Sequence, residues 1–227
     1  WMPESLDIVF TPLITMILCL VPYILIIMPA TGYVSTALCW VVEKLCMSDI
    51  LIVRIIAGYI STALFLPMVA MGMHHGLVAL YSVQLESFGY VTLYPALAMA
   101  GAGQVGAAVA IYFTAKKCGN TRLKNVITGA LPAGLLGIGE PLIYGVTLPM
   151  GKPFISAGLG AGFGGAFVMA MQVAATAWGP SGLLALFVMT AGPHGVAASV
   201  GCYAVGLVIC YIMGFIVTNA MVSVEDV

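Results

Sequence analysis

The stretch IVFTPLITMILCLVPYILIIMPATGYVSTALCWVV (residues 8–42) lies between Asp7 and Glu43 and holds no charged side chain. Roughly 20 apolar residues suffice for a helix to cross the hydrocarbon core of a bilayer, so this run alone makes the chain a membrane protein. Working outward, further charge-free runs extend from Ile55 to Leu85, from Ser87 to Ala115, and from Pro153 to Val224. The 227 residues are 62% hydrophobic and 7% charged. A soluble domain carries about 25% charged residues, because its surface faces water. Here lipid must cover what charge does not. The 27 glycines and 12 prolines fit, since membrane helices tolerate both. A net charge of −1 with no basic stripe argues against nucleic-acid binding.

The runs divide into an expected all-α polytopic fold of about five transmembrane helices. Pro12, Pro22, Pro29 and Gly32 punctuate the first run, which reads as a long kinked span to about Met28. An amphipathic connector, Ala30 to Leu45, is expected to follow it near the interface. Further spans are expected at about Leu51–Met71, Tyr90–Thr114, Phe154–Trp178 and Val196–Met221. Lys116, Lys117, Arg122 and Lys124 fall within nine residues and mark a cytoplasmic loop by the positive-inside rule. From Val126 to Phe154, Pro132, Pro141, Pro149 and Pro153 recur among many glycines. No continuous helix is expected there. Broken backbone survives at membrane depth only where protein buries it or a watery cavity bathes it, so the segment reads as a re-entrant hairpin. A second irregular stretch carries Gly179-Pro180 and Gly192-Pro-His-Gly195.

Those broken segments hold the candidate chemistry. Glu140, in Gly137-Ile-Gly-Glu-Pro141, has no charged neighbour for about a dozen positions on either side. A carboxylate at membrane depth costs several kcal/mol unless it is hydrated, paired or bound. It reads either as a staple for a helix end or as an acceptor for the hydroxyls of a polar solute. His74 and His75, flanked by Gly72 and Gly76, either bond backbone carbonyls at a helix end or contact the same solute. His194 reads as a turn residue, Arg54 as snorkelling to the interface beside Asp49, and Lys152 as marking a return to water. Gln84 and Glu86 either line the His pocket or lie outside it. No HExxH spacing, zinc-type cysteine framework, phosphate loop or nucleophilic triad occurs, so no metal or cofactor is expected and no catalysis by this chain alone. An ion-coupled secondary transporter with broken helices fits the same features. So, less well, does an intramembrane metalloenzyme using the His pair and Glu140.

The hairpin Leu136-Gly-Ile-Gly-Glu-Pro-Leu-Ile-Tyr-Gly-Val-Thr-Leu-Pro149 and the following Lys152-Pro-Phe154 resemble the GITEP-type signature of the membrane IIC domain of the bacterial phosphotransferase system, glucose superfamily. Gly72-Met-His-His-Gly76 resembles the histidine motif ahead of it. The opening helix (TPLITMILCL…IIMPATGYVSTAL) is similar to a helix of that domain. The resemblance implies a homodimeric sugar permease of the bacterial inner membrane, with two re-entrant hairpins in its transport domain. Sugar would pass to a IIB domain carrying phosphocysteine, itself charged through IIA and HPr. It implies a substrate site of His74, His75, Gly139 and Glu140, with Glu140 accepting from sugar hydroxyls and a histidine contacting the sugar from the other hairpin. Position 139 is Gly where many members have Thr, and with Ile-Tyr-Gly-Val-Thr following, the variant resembles the N-acetylmuramic acid branch. Permeases for sucrose, trehalose, maltose, β-glucosides and glucose share the scaffold. The acidic sugar would call for a cation: Arg54, Lys152 or a histidine. No IIB domain lies within the 227 residues, and the first residue is Trp1 with no signal peptide before the first span. The chain is therefore expected to be the C-terminal portion of a IIC domain, with residues 1–45 forming the kinked helix and connector and 50–227 the transport domain.

Overall fold

Prolines that should break the first apolar run do not break it. The computed structural model describes the backbone of residues 4–227, and the side chains from residue 10 onward apart from 35, 36, 38, 39 and 43. Helix α1 (Glu4–Pro22) passes through a π-helical turn (Tyr23–Ile27) directly into α2 (Met28–Cys46). The break expected at Pro29–Gly32 is absent, and the expected connector continues the same helix. A proline normally clashes with the carbonyl four residues back. For Pro29 that carbonyl belongs to Leu25, inside the widened turn, where the Met28 N–H bonds to Tyr23 O instead. The same device recurs ahead of Pro149: a π turn at Ile143–Thr147 with the Leu148 N–H bonded to Ile143 O. Two prolines thus sit in helical rods without cutting them.

Helices α3 (Leu51–Ala70) and α4 (His75–Phe88) follow, joined by a turn that ends at His74. Gly89 ends α4 at φ 78 and leads into α5 (Leu93–Cys118). Gln84 closes that junction: its Oε1 accepts from the Thr92 and Leu93 N–H groups at 3.2 and 3.5 Å, and its Nε2 donates to Thr92 Oγ1 at 3.1 Å. Helix α6 (Thr121–Leu136) is capped by Asn120, whose side chain accepts from Leu123 N–H. It accommodates Pro132, contrary to the expectation of no regular helix there. The chain then turns into the single turns α7 (Glu140–Leu142) and α8 (Leu148–Met150) around the second π turn. Helix α9 (Lys152–Ala170) stops well before Trp178, where the fourth span was expected to end. A non-helical segment with one 3-10 stretch (Gly182–Val188) leads to α10 (Val196–Met221).

Among the described residues five helices are long and apolar enough to cross a membrane: Phe10–Val34, Leu51–Ala70, Leu93–Cys118, Lys152–Ala170 and Val196–Met221. Among the described residues there is no strand, only the isolated bridges Val91–Ala175 and Ala174–Ala191. The core sits around α5 and α9, which are largely buried, whereas the best window of Phe10–Val34 is not buried at all. Small residues make the close packing possible. A Cβ on Gly160 would lie 2.6 Å from Gly214 Cα, and one on Gly103 would lie 2.6 Å from Ala161 Cβ. Buried hydroxyls add directional ties: Thr62 Oγ1 donates to Ala96 O at 2.9 Å, and Ser156 and Thr218 share a 2.7 Å bond.

At the basic-loop end the chain closes on itself. Asn120 Nδ2 donates to Val227 O at 2.8 Å, and Lys152 Nζ bonds both oxygens of Asp226 at 2.7 and 2.9 Å. Lys152, with the Ser223 backbone and hydroxyl donors, draws the Asp226 carboxyl down to about 2. A carboxyl lowered by folding contributes stability above its ordinary value of about 4 and loses it as pH falls through the lowered value. The melting difference between the protein and Asp226→Asn should therefore stay constant from pH 8 to about 4 and close as pH approaches about 2. Thermal scans in detergent across that range measure it, and a difference that varies between pH 8 and 5 would contradict the assignment.

Candidate functional site

Three irregular pieces of backbone meet beside the N-terminal third of α5. The first is the tip after α6. Gly137 takes φ 107, its N–H bonding to Ala133 and Gly134 carbonyls, and Ile138 and Gly139 then lead into α7 with Pro141 in its first turn. Glu140, the first residue of α7, is exposed on this tip. The second piece is the extended segment around Trp178–Ser181. It is pinned by the bridges at Ala174 and Ala175, by Tyr94 Oη donating to Pro180 O at 2.8 Å, and by Ser181 Oγ donating to Gly137 O at 3.1 Å. Gly137 packs directly on the Ser181 backbone, and Gly182 on that of Leu135 and Gly137. The third piece is the α3–α4 turn with the histidines.

Between them lies a cavity of about 240 Å³. His74, Gly139 and Glu140 line it together, with Tyr81 and Trp178 among the aromatic walls. His75 is not among the lining residues; its ring stacks on that of His74 at 4.1 Å, while Phe65 meets His74 at 6.4 Å. The Nδ1 of His74 is buried and makes no hydrogen bond. Glu140 forms no ion pair or side-chain hydrogen bond among the described residues, where Lys152–Asp226 is the single salt bridge. A carboxylate acceptor and an imidazole ring therefore line one partly enclosed space. A buried imidazole nitrogen is normally satisfied, whereas the exposed Glu140 carboxylate is free to accept from a polyhydroxylated solute in the cavity.

The remaining sequence candidates lie elsewhere. Arg54 does not pair with Asp49, and its buried Nε has no partner. Lys152 is committed to Asp226, and neither Arg54 nor Lys152 reaches the cavity. Gln84 is occupied in the α4–α5 junction, and Glu86 and His194 are exposed away from the cavity lining. No sequence pattern marks the aromatic walls. Tyr81 falls in an ordinary apolar helix pattern, and Trp178 reads as the end of a span.

Comparison with known proteins places the chain in a family of membrane domains. Residues 1–161 match the family described as Phosphotransferase system, EIIC, and the chain belongs to that family. It is 44% identical over 218 residues to a PTS system MurNAc-GlcNAc-specific EIIBC component of Staphylococcus epidermidis, covering 95% of this chain and 43% of that protein. It is 41% identical over 228 residues to a PTS system N-acetylmuramic acid-specific EIIBC component of Escherichia coli O157:H7, covering 96% and 46%. A putative PTS system EIIBC component, YbbF of Bacillus subtilis, is 44% identical over 211 residues, covering 93% and 44%. The chain spans less than half the length of these relatives. No solved structure matches it. With its five apolar spans, the chain is a multi-pass protein of the bacterial inner membrane.

Proposed function

We propose that the chain is the sugar-binding and translocating part of a phosphotransferase permease, taking N-acetylmuramic acid or a sugar that contains it. The observation that carries this reading is the convergence of His74 and Glu140 on one cavity built from broken backbone. Glu140 accepts hydrogen bonds from sugar hydroxyls, and His74, rather than His75, supplies the imidazole contact. A IIB domain, charged through IIA and HPr, phosphorylates the sugar as it reaches the cytoplasm. Similarity to EIIBC components supports that partner, and it weighs against the ion-coupled alternative. The Phe10–Val34 helix, with none of its best apolar window buried in the protomer, supports a homodimer in lipid.

Uptake into proteoliposomes tests the proposal. Accumulated sugar should be phosphorylated and should require phospho-IIB. Uptake driven by a proton or sodium gradient without IIB would overturn it.

A further inference from the structure

Four glycines line the cavity: Gly101, Gly137, Gly139 and Gly179. Two of them are demanded by the fold. A Cβ on Gly101 would strike the Ser181 hydroxyl, and Gly137 combines φ +107 with direct contact on the Ser181 backbone. Gly139 has neither reason. Its φ of −82 and ψ of −20 are open to any residue. The sole atom within 4 Å of an added Cβ is Ile143 Cδ1, at 3.7 Å, and Ile143 itself lines the cavity. Gly179 likewise meets nothing within 4 Å and has no positive φ. A helix-start glycine that packs on nothing carries an entropic cost that alanine avoids. Its smallness therefore serves the space beside it.

We propose that Gly139, with Gly179, leaves a recess that seats the 2-acetamido group of the sugar, making position 139 a determinant of substrate class. This rests on the sugar site of Glu140 and His74. Two observations select the acetamido group. The Gly139 side of the cavity presents Ile143 and no Lys or Arg, so it does not suit the carboxylate substituent of the acidic sugar, for which His74 is the basic side chain on the cavity wall. The specific relatives are named for sugars that share an N-acetyl group. The recess beside Gly139 is flanked by Ile143, with Trp178 and Val78 also on the cavity wall. An acetamido group presents a methyl to such surfaces. Selection here is by volume, not by charge.

The test is a graded series of N-formyl, N-acetyl and N-propionyl muramic acid, titrated calorimetrically into the intact purified protein and its Gly139→Ala and Gly139→Ser variants. A single methylene in a fitted apolar pocket changes affinity about tenfold or more. The unmodified protein should prefer N-acetyl. Both variants should move the preference to N-formyl and lose about tenfold for N-acetyl, with melting temperatures equal to or above the parent's. An unchanged rank order, or an equal loss across the series, overturns the proposal. Glu140→Ala run in parallel separates the two levels. If it binds every sugar normally, the site itself is misplaced. If it loses them all while Gly139→Ala keeps the parental order, the recess alone is refuted.

Discussion

Glu140→Ala should lower sugar affinity by about 100-fold or more while the protein still inserts and melts normally. Hydrogen bonds to a charged group contribute about 1.5–3 kcal/mol each, and two hydroxyls on one carboxylate reach that loss. Glu140 makes no protein ion pair or side-chain hydrogen bond among the described residues, so its removal leaves no buried partner stranded. Glu140→Gln keeps the shape and one acceptor and should fall between. His74→Ala should weaken binding by about tenfold, the value of one imidazole hydrogen bond. His75→Ala should do far less, because His75 lies behind His74 and off the cavity wall. Isothermal calorimetry in detergent measures all four. Unchanged affinity in Glu140→Ala would remove the carboxylate from the site, and equal losses at 74 and 75 would assign both histidines a packing role.

Gly137→Ala should be damaging for a different reason. At φ 107 an L-residue is strained, and its Cβ would lie 2.8 Å from Ser181 N and nearer still to the Ser181 carbonyl. Left-handed strain costs about 1–2 kcal/mol, and overpacking adds about 1–3. A loss of about 3 kcal/mol lowers the melting temperature of a chain this size by roughly 10 °C. Binding should fall with it although no polar group has been removed, since the junction that sets Glu140 against the Trp178 segment is pushed apart. Gly139→Ala, two residues on, should show no such drop in melting temperature. A normal melting curve for Gly137→Ala would mean that the two tips can separate at little cost.

The sequence made some of this legible and hid the rest for physical reasons. Charge-free runs located the five spans, because lipid excludes charge wherever the helix runs. Glu140 stood out for the same reason, as a carboxylate with no local compensation. Proline does not mark breaks here. Pro29, Pro132 and Pro149 all sit inside helical rods, two of them behind π turns that no composition pattern announces. Helix α9 was overrun to Trp178 because Val173 to Ala177 is as apolar as helix, while what ends it is pairing with Val91 and Ala191, distant in the chain. The choice between His74 and His75 depended on which ring the α3–α4 turn directs inward. Tyr81 and Trp178 joined the cavity through tertiary packing alone.

The spans differ in how much of each lies buried inside the protein, and burial runs opposite to apolar character. Phe10–Val34 and Val196–Met221 are the most apolar of the five and mostly unburied, whereas α5 and α9 are the least apolar and the most buried. During biogenesis the first kind can leave the translocon for lipid unaided. The glycine-rich α5 and α9 gain less from lipid than from each other's surfaces. Their entry should be retained until neighbouring spans arrive, which makes assembly of the cavity a late event, dependent on α10 having been made.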